Sequence, residues 1–368
     1  MTRAKETIAV ADLVRHLDDI FPFAWAEPWD RVGLLAGDPG APVSQVLVSL
    51  DPTPEALSMA VAHGANVLVT HHPAFLQPPS ALTPERAGVV YQAVSLGVAL
   101  VACHTNLDRA PAAGDELPRL LGLTSSVPLE RGRQPVSLVT VFVPAAHAQE
   151  VLAAMAAAGA GRVGGYRACA FRGPGIGSFV PGEGTTPALG SAGERTDAEE
   201  VRLEMACDRS SVDGVVLAAR RAHPYEEPLI VVTDADVDRG SARLGRVCEL
   251  SRATTVRAVA ERVAKTFSIV PRVWGDPDAR VSTVGTVSGS GGSLLPDAIS
   301  AEVSVLVTGE VRYHQALEAL DAGLAVIEAG HDVTEWPHVP VIASALRAHE
   351  LLAGRVVMDQ PAQRWWTP

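Results

Sequence analysis

Lysine is nearly missing from this chain of 368 residues: only Lys5 and Lys265 occur, and arginine supplies the remaining basic side chains, a bias we take from genomic base composition. Cysteine is equally sparse. Cys103, Cys169, Cys207 and Cys248 lie far apart with no Cys-x-x-Cys pair, so neither a thiolate zinc site nor a disulfide framework is supported. Basic charge is lacking overall. The net charge of −12 disfavours nucleic acid as a partner, because phosphate binding needs a basic footprint. No apolar run reaches the roughly 20 residues of a membrane-spanning helix. Met1 to Val10 carry charges without a signal-peptide core, which predicts a cytoplasmic protein. What remains is a chain that is 47% hydrophobic, with 32 glycines and 27 prolines. It is globular, rich in loops and long enough for two or three domains.

The most informative feature is a device used three times. Val67-Leu68-Val69-Thr70 runs into His71-His72-Pro73; Val98 to Cys103 runs into His104, with Asp108 four residues on; Leu324 to Gly330 runs into His331, with Glu335 four residues on. Short, fully apolar runs rich in β-branched residues read as buried strands of a parallel sheet. Ligands of open α/β sheets sit beyond the carboxyl ends of such strands. The three runs therefore predict one centre assembled from His71, His72, His104, Asp108, His331 and Glu335.

In chain order, residues 7 to 21 have helical periodicity with Thr7 as cap, and Pro22 ends the helix. In the Glu27 to Leu35 segment Trp29 and Asp30 stand either in a packed loop or at the rim of the site. Val46 to Asp51 is a strand ending in an acid, and Pro54–Gly64 and Pro84–Gly97 are crossover helices, giving parallel strands. Near residue 134 the character changes to strand, helix, strand, then a Gly/Pro-rich loop from Gly173 to Gly193, then strand, helix, strand. That order predicts a ferredoxin-like α+β insert over 134–242, dividing an α/β domain built from 1–133 and 243–368. No proposed ligand lies inside the insert. Ser288 to Ser293 forms a Gly/Ser loop without the Walker lysine, so it reads first as a tight turn and only weakly as an anion cradle. Trp365 and Trp366 in the tail would dock on a neighbouring subunit or pack within the chain.

Imidazoles and carboxylates together favour zinc, iron or manganese over calcium, which prefers oxygen ligands only. In His104–Asp108 and His331–Glu335 the two groups are one helical turn apart and share a face. Adjacent histidines diverge on an extended chain, so His71 and His72 suit different ions. Six ligands are too many for one tetrahedral ion with an open position and suit two divalent ions per chain, with Glu335 as the bridging carboxylate and the catalytic residue. Such ion pairs, roughly 3.5–4 Å apart, lower the pKa of bound water toward about 7. His16, His63, His147, His338 and His349 lack a partner pattern and read as surface or helix residues; His314, one turn past a strand end, reads as an outer neighbour of the centre.

Over nearly its whole length the chain resembles the Ngg-interacting-factor-three-like family of dinuclear-metal proteins, also called GTP cyclohydrolase 1 type 2 homologues. The carrying motifs are Glu27-Pro28-Trp29-Asp30 with Gly33-Leu34, Thr70-His71-His72-Pro73, His104-Thr105-Asn106-Leu107-Asp108, Thr308-Gly309-Glu310 with His314, and Gly330-His331-Asp332-Val333-Thr334-Glu335. The resemblance implies metal ligands at His71, His72, Asp108, His331 and Glu335, with His104 as a further ligand or an adjacent group. It implies a toroidal homohexamer with its metal sites facing an inner cavity, and hydrolysis of a nucleotide or phosphoester. The alternative is a non-enzymatic metal-binding scaffold with the insert as sensor or gate. Asp332 departs from the family, where an aromatic residue or histidine is common. The insert resembles the PII-like and copper-tolerance-like domain of the long members through Gly161-Arg162-Val163-Gly164, Tyr166 to Phe171, Gly175 to Pro181 and His223-Pro224-Tyr225-Glu226-Glu227-Pro228. The last motif reads as turn chemistry leading into a strand, ahead of a second ligand site.

Overall fold

The structure, a computed structural model, describes residues 7–124, 126–163, 166–238, 240 and 242–361. Trp365 and Trp366 lie outside the described residues. The fold is mixed α/β with three sheets, and the chain divides into two compact units, Met1–Arg131 with Ser241–Pro368, and Gly132–Gly240.

The first unit holds two sheets. One has the strand order Gly33–Ala36, Ala99–Ala102, Val67–Thr70, Val46–Ser49, Val356–Met358; it is parallel except for its antiparallel first pair. Its strands read as unbroken apolar runs because both faces are covered. Val46, Val48, Val67, Val69 and Val101 face Leu13 and Leu17 of the first helix and Val339, Ile342 and Leu346 of the His338–Arg347 helix. Leu47, Leu68 and Leu100 face the opposite way, against Leu57, Ala60 and Val90. The second sheet has the order Arg272–Trp274, Ala325–Glu328, Val305–Glu310, Arg280–Ser290, Arg246–Thr255, Ser126–Pro128, with its middle three strands parallel. Val305, Val307 and Ile327 pack on Val256 and Val263, while Leu306 and Val326 pack on Leu295 and Ala298. The His338–Arg347 helix follows directly on the second sheet yet completes the core of the first. The Gly330–Pro337 segment therefore lies where the carboxyl ends of both sheets meet.

The first helix spans Val10–Ile20 and is not capped by Thr7. Ile8 and Ala9 are held extended beside Pro42 and Val43, so the helix starts later, and the Asp12 carboxylate accepts from the Ala9 N–H at 3.2 Å.

The second unit is an antiparallel sheet in the order Phe171–Phe179, Thr196–Cys207, Arg133–Pro144, Ile230–Asp238. The helices Ala148–Ala157 and Val212–Ala222 cover one face around Val139, Val141, Leu203 and Met205. One expectation fails here. The segment from Gly173 is no loop at its start: it continues the Phe171–Phe179 strand, paired residue for residue with Thr196–Glu204. Cross-strand hydrogen bonding outweighs the local cost of glycine in a strand.

Among the described residues, no helix is long and apolar enough to cross a membrane.

Candidate metal centre

The three runs deliver their histidines to one place. The Val67–Thr70 strand ends directly before His71 and His72, the Ala99–Ala102 strand two residues before His104, and the Ala325–Glu328 strand three residues before His331. Groups able to hold a metal ion form three overlapping sets: His71, His72 and His104; His71, Asp108 and His338; and His72, His331 and Glu335. Within each set the ligand atoms lie within 4.8 Å of one another.

Four of these imidazoles are each fixed by a partner behind them. His71 Nδ1 donates to the Cys103 carbonyl at 2.9 Å, His72 Nδ1 meets Asp51 Oδ1 at 2.8 Å, His104 Nδ1 meets Asp30 Oδ1 at 2.8 Å, and His331 Nδ1 meets Glu310 Oε1 at 3.1 Å. A partner on Nδ1 sets the tautomer and leaves the Nε2 lone pair for the centre. His71 Nε2 stands 3.5 Å from Asp108 Oδ1 and 3.7 Å from Glu335 Oε1. Glu335 Oε2 stands 2.9 Å from His72 Nε2 and 3.1 Å from His331 Nε2. His71 is fully buried and Glu335 is 4% exposed.

These atoms fit a cation. His71 Nε2, Asp108 Oδ1 and Glu335 Oε2 are buried with no hydrogen-bond partner of good geometry. Neutral imidazole lone pairs facing carboxylate oxygens repel unless a proton or a metal ion stands between them. Without a metal the protons are held tightly. Burial lowers the His72 pKa, but the Asp51 and Glu335 carboxylates beside it outweigh burial and raise it to about 10. The adjacent Glu335 carboxylate, against burial, raises His331 to about 9. For Glu335, burial pushes upward, but His331, His71 and His72 hold the carboxyl well below the usual range. Asp108 is likewise lowered, by His71 and His338 against burial. Burial would raise Asp30, yet His104 and Thr105 bring it down to about 2.

Two features depart from expectation. His338, read as an ordinary helix residue, is 1% exposed, with Nε2 at 3.1 Å from Asp108 Oδ1 and 3.2 Å from Ser288 Oγ. Its signal was spacing: His331, Glu335 and His338 follow the i, i+4, i+7 pattern of one helical face. His314, read as an outer neighbour, is exposed against Tyr313 and outside the cluster. Trp29 is exposed, with its ring centred 6.0 Å from that of His104 in a T-shaped pair, and Asp30 is buried.

The Gly/Ser segment, whose first three residues end the Arg280–Ser290 strand with a shift of register, is a packing device. The Gly289 N–H donates to Thr334 Oγ1 at 3.0 Å and the Gly291 N–H to the Glu310 carbonyl at 3.1 Å, so these donors are spent internally. Gly289 has φ +62°, and a Cβ there would come within 2.1 Å of Glu335 Oε1. Glycine lets the loop pass directly under the carboxylate.

The whole chain has relatives. A Mycobacterium leprae protein named GTP cyclohydrolase 1 type 2 homolog is 34% identical over 349 residues, 92% of this chain and 90% of its own length. The crystal structure of a Bacillus cereus protein related to NIF3 matches with a TM-score of 0.69 at 30% identity, covering 96% of this chain and 97% of that one. A Staphylococcus aureus structure, 23% identical with a TM-score of 0.71 over 99% of this chain and 100% of its own, shares the fold. The family profile described as Duf34/NIF3 (NGG1p interacting factor 3) matches residues 8–360, and the chain belongs to that family.

Proposed function

We propose that this protein holds two divalent metal ions per chain and is a metal-dependent hydrolase of a nucleotide or phosphoester. The observation that carries the reading is the split of Glu335: Oε1 faces His71 while Oε2 faces His72 and His331. His71 and Asp108 would hold one ion, His72 and His331 the other, with Glu335 shared. His104, with its ring 5.2 Å from that of His71 and 5.6 Å from that of His72, would stand beside both. Zinc, iron and manganese suit this mixed imidazole and carboxylate set. Ions so held supply Lewis acidity toward a phosphoryl or carbonyl oxygen and an activated water. The chain's own part is orientation: Asp51, Asp30, Glu310 and the Cys103 carbonyl lock each ring.

The name carried by the M. leprae relative supports a nucleotide substrate. The family resemblance supports a homohexamer. The βαββαβ order of the second unit, with its two helices on one face, supports a ferredoxin-like, PII-like insert over about residues 134–242. The test is turnover of a nucleotide and phosphoester panel by metal-loaded protein, with Glu335→Gln abolishing it. An inactive protein that retains its metals would favour the second reading, a metal-binding scaffold with the insert as sensor or gate. That reading draws on the insert's position in sequence, outside every ligand of the centre.

A further inference from the structure

The second unit contains a cavity with its own chemistry. On the Thr196–Cys207 strand, Val201, Leu203 and Met205 pack beneath the helices, so Glu200 points to the opposite, helix-free face. On the neighbouring strand, Gly173, Gly175 and Gly177 alternate toward that same face and leave it without side chains. The Glu200 carboxylate lies across this bare floor: a Cβ on Gly177 would come within 2.2 Å of its Oε2. Above it is a cavity of about 490 Å³, walled by Phe142, Phe179, Tyr225 and Leu229. That volume falls within the range of small-molecule sites.

The polar groups inside have no cationic partner. Glu200 is 9% exposed, and among the described residues no cation pairs with it. Burial, and then the Glu200 carboxylate beside it, push the Tyr225 hydroxyl up to about 12, although no hydrogen bond of good geometry joins the two, and the carboxylate's charge stays unneutralised. His223 is not the counter-ion, since its Nε2 donates to the Phe142 carbonyl at 2.9 Å and its Nδ1 accepts from the Tyr225 N–H at 3.0 Å, which makes the ring neutral. No lysine or arginine lines the cavity, whereas Glu226 and Glu227 do. Glu226 also accepts from the Thr186 N–H at 3.0 Å and so ties the Pro181–Ala188 loop to the wall.

We propose that this cavity binds a small organic cation, an ammonium or amidinium group on a flat apolar body. The cation would pair with the buried Glu200 carboxylate while Tyr225 and Phe179 offer ring faces to the charge and the body. The motif His223-Pro224-Tyr225-Glu226-Glu227-Pro228 then has a role beyond leading into a strand: it places Tyr225 and holds the loop. This site shares no residue with the metal centre.

The test titrates the full-length protein with benzylammonium and benzamidine, and with benzyl alcohol and benzoate as neutral and anionic counterparts, followed by ligand-observed NMR. The two cations should saturate, and benzyl alcohol should bind roughly thirtyfold or more weakly. Glu200→Gln should remove that preference, Tyr225→Phe should keep most of it, and Glu335→Gln should leave it unchanged. Equal binding of amine and alcohol, unchanged cation affinity in Glu200→Gln, or no saturable binding of either cation overturns the proposal. Should Glu200→Gln fail to fold, the comparison of amine with alcohol on the unaltered protein decides alone.

Discussion

Glu335 and His72 meet, Oε2 to Nε2, at 2.9 Å, although one comes from the last third of the chain and the other from the first quarter. Two acceptors at that distance require something positive between them. The metal-free chain meets the need with a tightly held proton on His72, and a divalent ion would replace it.

Metal affinity should therefore rise with pH. His72, at about 10, and His331, at about 9, are protonated at neutral pH without metal and must lose those protons to become ligands. Binding at pH 7 should release protons, readable by calorimetry in buffers of different ionisation enthalpy. A pH-independent affinity between pH 6 and 9 would contradict this. The sign for stability follows from the same shifts. Both folded pKa values lie above the unfolded value of about 6.5, so these groups stabilise the metal-free fold fully below that pH and lose the contribution as pH rises through 9 to 10. Metal-free protein should melt lower at pH 10 than at pH 7, with the loss much reduced when metal is bound.

The partners behind the rings should matter nearly as much as the rings. Asp51→Asn and Asp30→Asn each take the charge from the carboxylate that fixes a histidine, His72 and His104 respectively, and offer a weaker amide acceptor in its place. Metal affinity should fall by about 10–100-fold in each, measured by competition with a chelator, while the fold persists. Unchanged affinity would show that these acids merely fill space.

Gly289→Ala should damage the centre without touching a ligand. Its Cβ would meet Glu335 Oε1 at 2.1 Å, and φ +62° adds a backbone cost of about 1–2 kcal/mol. Gly354→Ala, where a Cβ meets nothing within 4 Å, is the control. Metal affinity should fall in the first and hold in the second.

His338→Ala should weaken metal retention, because it removes the neighbour 3.1 Å from Asp108 Oδ1, whereas His349→Ala should not. Equal behaviour of the two would return His338 to a packing role.

Much of this arrangement was legible in the sequence because the same physics is written locally. Strands covered on both faces must be apolar throughout, so Val67–Thr70, Ala99–Ala102 and Ala325–Glu328 stand out, and the polar residues at their ends stand out more. Asp51 was visible as an acid ending a strand, though its pairing with His72 was not. His338 escaped because its partner, Asp108, arrives from a distant part of the chain, and the spacing to His331 and Glu335 is its one local signal. The Phe171–Phe179 strand escaped for the opposite reason. Its glycines and proline signal a loop locally, and only pairing with Thr196–Glu204 makes it a strand.

The most direct test of the central claim is metal content per chain of protein purified without added metal. Two divalent ions per chain in the natural sequence, falling in Glu335→Gln, is the predicted result. A folded natural protein that retains no divalent ion, and takes up none when zinc, iron or manganese is supplied, would contradict it.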